Sequence, residues 1–245
     1  MVKDSDSKRK SVPASGREAR ATLNRIALIA LLAVGLGFVM QALVILARLL
    51  GGGAFPGVTL LADLAQTVTW SVIVCAGVAV GVSVSKARKA LAGLMGLLFA
   101  PLALALAKAS QRAMLAVIGV LEQPAALSLA TVGVVRAFEY GLLAWLLAIL
   151  TEKEVVRPGP YIGTGAAIGI SFGSILFWLT WQASLAEGAQ LALPQILGMI
   201  VNEIGAPAGC ALLIYIGQLA GHSFSIYKKH QPVTSTAGPQ PPAGA

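Results

Sequence analysis

The sequence predicts an all-α fold, a polytopic integral membrane bundle of about six transmembrane helices with both termini cytoplasmic. Three observations predict it. First, 57% of the 245 residues are hydrophobic and only 11% are charged, with a mean hydropathy of +0.81. A soluble chain of this length could not hide that much apolar surface in one core. Second, apolar runs long enough to cross a bilayer recur along the chain. Its length holds about six of them at roughly 20 residues each, with no room for a sizeable soluble domain. Third, the basic residues gather in short segments beside these runs. With six spans, fourteen fall on one side and three (Arg48, Lys108 and Arg112) on the other, which is the positive-inside pattern. The net charge of +8 is thus expected to orient the chain against an anionic leaflet. The lipid bilayer, in a cytoplasmic membrane of bacterial type, is the expected partner, and no nucleic acid is.

Residues 1–25 form a polar, basic arm that is expected to be disordered. The first span, 26–47, has no convincing cleavage site and is read as uncleaved. An uncharged glycine-rich turn, 51–57, follows on the external side. The second span, 58–85, places Asp63, Gln66, Thr67 and Trp70 three or four residues apart, on one helical face that would lie along something wet. The plainer reading of Asp63 is that it reaches the interface. Gly77 and Gly81 form a GxxxG that lets a neighbouring backbone approach. Lys86, Arg88 and Lys89 make a cytoplasmic loop before the third span, 90–107. The apolar piece 113–121 is too short to cross, so it either extends that helix or lies on the outer surface.

The fourth span, 125–150, carries Arg136 and Glu139 near its centre, at a spacing that allows them to pair. Residues 151–160, with Pro158 and Pro160, read as a short, stiff cytoplasmic loop. The fifth span, 161–184, bears the stripe Gly165, Gly169, Gly173, which signals close helix packing. The sixth, 191–221, holds Asn202 and Glu203 ahead of Gly205, Pro207 and Gly209. Proline cannot donate to the carbonyl four residues back, here that of Glu203, so a kink is expected beside the acid. With glycines on both, spans five and six are expected to be the tightest pair. The membrane domain then covers 26–227, and the tail 228–245 is expected to be disordered.

Ionisable groups at mid-bilayer are costly unless paired or wetted, and they mark working sites. Arg136, Glu139 and Glu203 are therefore expected to form a polar centre joined by Asn202 and Asp63. A buried pair that only fixes helix register is the plainer alternative. No catalytic residue is assigned. Ser171, in Gly169-Ile170-Ser171-Phe172-Gly173, has no histidine at its depth and reads as a packing serine. Phe138-Glu139-Tyr140 lacks the paired glutamates and later histidine of glutamate-dependent intramembrane proteases. No metal set, phosphate loop or haem motif is present, and the sequence names no cofactor. Cys75 and Cys210 sit in apolar runs as small hydrophobes. Two functions follow. One is a small transporter or channel component that couples a proton or cation at the Arg/Glu centre. The other is an assembly subunit that docks a membrane-protein partner, or a second copy, through its glycine faces.

Overall fold

The structure is a computed structural model and describes residues 14–84, 89–121 and 127–229. Six helices carry it: α1 (Ala14–Leu50), α2 (Leu60–Val84), α3 (Lys89–Ile118), α4 (Leu129–Glu152), α5 (Pro158–Ala186) and α6 (Leu193–Lys229). All six are long and apolar enough to cross a membrane. The chain is an all-helical, multi-pass integral membrane bundle, as its sequence predicts.

Local chemistry sets the ends of these helices. The three odd-numbered helices stop alike, at a glycine with positive φ: Gly52 (83°), Gly119 (70°) and Gly188 (69°). In each, the following amide turns back onto the last helical turn, Gly53 to Arg48, Val120 to Leu115 and Ala189 to Ser184. This is the cap that glycine serves without a steric penalty. α4 begins where the Ser128 hydroxyl accepts from the Thr131 amide at 3.1 Å, a side-chain N-cap. α5 begins at Pro158, whose missing N–H costs nothing in a first turn.

Several boundaries differ from the sequence expectation. α1 is helical from Ala14, so the second half of the expected disordered arm is ordered, while the membrane-length segment starts at Thr22. α3 runs unbroken through Pro101 to Ile118, so 113–118 extends the third helix and does not lie on the surface. Pro158 and Pro160 belong to the first turn of α5, which shortens the loop to 153–157. Tyr215 ties that loop down by donating to the Val156 carbonyl at 2.8 Å. The expectations for 1–13, the basic loop at 85–88 and the tail from 230 lie outside the described residues.

Neighbours in sequence are neighbours in space, and the ring closes because α1 packs along α6 from Ile29 to Gly51. The register is a plain antiparallel one: Gly51 meets Pro194, Arg48 meets Gly198, Met40 meets Gly205, Leu36 meets Gly209 and Ile29 meets Gly217. α2, α4 and α6 also touch one another. The even helices thus form an inner triad, and each odd helix lies in a groove between two of them. Burial agrees, being highest for α4 (56% of its apolar window) and lowest for α5 (28%).

In lipid, where apolar surface has no drive to leave water, such packing depends on small residues that let backbones approach. α3 shows this best. Ala92, Gly96, Ala100, Ala103 and Ala107 are all buried, and their steps of three and four residues put them on one face. Accordingly, α2–α3 and α3–α4 make the most extensive contacts and α5–α6 comes after them, which corrects the expected ranking. Gly205 and Gly209 are corrected with it, because they face α1 and not α5. Gly77 and Gly81 pack on α3, against Phe99 and against Ala92 and Met95.

Candidate functional site

α4 is the innermost helix, and its buried face carries Gly133, Arg136, Glu139, Tyr140 and Leu143 in succession. Arg136 and Glu139, one turn apart, both point inward. Arg136 Nη1 donates to Glu139 Oε2 at 2.7 Å, and Nη2 donates to Glu203 Oε1 on α6 at 2.6 Å. Asn202 Nδ2 adds a longer bond of 3.3 Å to the same Glu203 oxygen. Glu139 is fully buried, and Arg136 and Glu203 are 8% and 7% exposed. The third inner helix closes the remaining side. The guanidinium carbon lies 5.6 Å from the ring centre of Trp70 on α2, which forms a T-shaped pair with Tyr140 at 5.4 Å and 78°. Charge-assisted bonds and an aromatic face thus replace the hydration that the arginine gives up.

Two carboxyl oxygens at this centre, Glu139 Oε1 and Glu203 Oε2, are buried without a hydrogen-bond partner. One guanidinium serves two carboxyl groups, so the cluster carries one more acid than base.

α6 passes through Pro207 as a continuous helix. The Glu203 carbonyl that the proline leaves without an amide abuts Gly169, where any side-chain carbon would clash with it. Gly165 admits the Pro207 carbonyl in the same way, its would-be Cβ falling 2.5 Å from that oxygen. Gly173 leaves room for the Glu203 side chain, since a Cβ there would lie 2.7 Å from the glutamate's own. The stripe therefore packs backbone on backbone at two positions and seats the acid at the third. Beside Glu203, a cavity of about 270 Å³ runs between α5 and α6, lined by Gly169, Gly173, Ser174, Phe177, Met199 and Ile200 among others.

Of the residues expected at the centre, Arg136, Glu139, Asn202 and Glu203 come together and Asp63 does not. Asp63 Oδ1 accepts from Gln111 Nε2 at 3.1 Å, and Lys108 Nζ donates to the same side chain's Oε1 at 2.8 Å. These groups line a separate cavity of about 280 Å³ between the ends of α2 and α3. The expected single wet face of α2 is thereby divided. Asp63 turns to α3, Thr67 lies 3.0 Å from the Gln41 amide oxygen on α1, and Trp70 turns to α4. Ser171 is also corrected. It is exposed on the outer side of α5 and donates to the Ala167 carbonyl of its own helix at 2.9 Å.

The sequence reading missed the pairing of Trp70 with Arg136. The available signal was a tryptophan well inside a span and away from the interfaces where that residue gathers. It also missed that the Cys75 and Cys210 thiols, on α2 and α6, lie within hydrogen-bonding reach of each other as free cysteines in the core. No protein-family model matches the chain, and no curated protein or solved structure is significantly similar to it.

Proposed function

We propose that this membrane protein is a small transporter or channel component, and that Arg136, Glu139 and Glu203 form the site where a proton or cation is coupled. The observation that supports this is the charge count at the centre. Two carboxyl groups share one guanidinium, with an oxygen of each left over. An uncompensated charge at this depth costs several kcal/mol, so the resting cluster takes up one further positive charge as a proton or a monovalent cation. A charge held by an unshared carboxyl oxygen can be exchanged, whereas the arginine's charge is fixed at any working pH. Placement between α4 and α6, two members of the inner triad, lets a small shift of either helix change which carboxyl the guanidinium serves.

The test is ion flux in proteoliposomes loaded with a pH-sensitive dye. An imposed proton gradient should drive a flux that Glu203→Gln abolishes and Asp63→Asn leaves intact, with both variants folded. A folded parent protein that carries no such flux, and that loses a co-purifying membrane partner when Glu203 is changed, would make the centre a docking element and overturn the transport reading.

A further inference from the structure

The cavity between α5 and α6 has three properties that together define a ligand. It is lateral: Ile170, Ser174 and Ile200 on its rim are exposed, so in a bilayer it opens toward the acyl chains and not along the bundle axis. It is apolar along most of its lining, through Ile170, Phe177, Met199, Ile200 and Ile204. At its base it meets the Glu203 side chain, whose Oε1 is engaged by Arg136 while its Oε2, buried just beneath the cavity floor on the Gly173 side, has no partner. A second ring, Trp181, stands 6.0 Å from Phe177 on α5.

We propose that this cavity is the binding site of a monovalent amphiphilic cation, an amine or quaternary ammonium with a compact apolar body, which enters from the lipid. The inference rests on the reading of the Arg136–Glu139–Glu203 cluster as a site that holds one exchangeable positive charge. An anion is excluded by the carboxyl, and a neutral lipid tail would leave Glu203 Oε2 unsatisfied. A strongly hydrated alkali cation would find one carboxyl oxygen and hydrocarbon where it needs a shell of oxygens. A cation that carries its own apolar cover needs only that one oxygen, and Phe177 puts an aromatic ring in the cavity lining.

Glu203 is faced by Arg136 from α4, with Glu139 behind it, and by Asn202 on its own helix. From α5 it meets Gly169 and Gly173. The exchange balances: the proton on the cluster leaves as the cation arrives, and the site keeps its charge. A volume of about 270 Å³ lies near the lower end of small-molecule sites, which favours a body of one ring or a short branched chain. A longer chain would trail into the bilayer.

The test is binding to the full chain in nanodiscs with three probes, namely benzyltrimethylammonium, its uncharged carbon isostere neopentylbenzene, and tetramethylammonium, which lacks the apolar body. Calorimetry in two buffers of different ionisation enthalpy counts the protons. Benzyltrimethylammonium should bind the parent tightest of the three and release about one proton per cation bound. Its Kd should rise about tenfold or more in Glu203→Gln, through loss of the buried charge pair. Ser174→Phe, an exposed rim position that fills the cavity, should weaken it likewise and serves if Glu203→Gln does not fold.

The site is overturned if the folded parent does not bind benzyltrimethylammonium, if neither variant weakens it, or if neopentylbenzene binds as tightly and loses as much. Binding with proton release but no flux in liposomes would retain the site and overturn the transport reading. Glu203-dependent proton flux without cation binding would do the reverse.

Discussion

Arg136 divides its guanidinium between acids on two helices, so the three side chains should not contribute to stability independently. Glu203→Gln leaves Arg136 and Glu139 as a balanced pair and should be mild. Arg136→Leu leaves two facing acids with no cation and should cost about 3–5 kcal/mol, the scale for breaking a buried pair from one side. In a double-mutant cycle on thermal unfolding in detergent, Arg136 and Glu203 should couple by about 1 kcal/mol or more. Additive effects would mean that the 2.6 Å contact contributes nothing. Trp70→Leu should cost about 1–2 kcal/mol through lost contact with the guanidinium and with Tyr140. These charges were legible in the sequence because an ionisable residue deep in an apolar run has few permitted fates. The position of Asp63 was not legible. Spacing assigned Asp63, Thr67 and Trp70 to one face, but a helix inside a bundle has several neighbours. A face of that width spans the boundaries between three of them, and the sequence of α2 alone does not say where those boundaries fall.

Glycines divide by what lies opposite them, and at the level of the helix that decides their tolerance. A Cβ at Gly96 or Gly169 would run into a main-chain carbonyl, that of Tyr140 or of Glu203, and a backbone atom cannot swing aside. Even Gly→Ala at either position should lower stability by about 1–3 kcal/mol, the scale for overpacking, and Leu should do worse. At Gly163 nothing stands within 4 Å, so Gly163→Ala should be neutral or stabilising by up to about 1 kcal/mol on helix propensity. Thermal unfolding of the three alanine variants decides it; equal behaviour would show that the α5–α6 and α3–α4 backbones are further apart than described. The stripe on α5 was legible because four-residue spacing of glycines is itself the signal. The destination of Gly205 and Gly209 was not, since a small-residue face announces close approach without naming the helix that approaches. The α3 face escaped notice because alanine, common in any membrane helix, draws less attention there than glycine.

For the whole molecule, six crossings place Arg25, Glu152 and Pro158 at one end of the bundle and Gly53, Ile118 and Gly188 at the other. Joined to the bias in basic residues, this gives a topology prediction. Reporters inserted after Glu154 should read cytoplasmic, and those at Gly53 and Gly188 external. The same reading at Glu154 and Gly188 would require α5 not to cross. The number of spans was legible in hydropathy alone, as bilayer thickness fixes the length of an apolar run. The inner and outer triads were not, because all six helices are similarly apolar and differ in what they touch. The closure of α1 on α6 also bears on the order of manufacture. α1 leaves the ribosome before the other five, yet α6, one of its two main partners, leaves after them, so the bundle stays an open arc until α6 is released. Through that interval Arg136 is already in the membrane while Glu203 has not been made. Of the two acids that bind the guanidinium, Glu139, one turn away on the same helix, is the one present to accompany it inward, beside Trp70 of the earlier α2. Glu139→Gln should therefore reduce the amount of protein inserted more than the stability of what arrives.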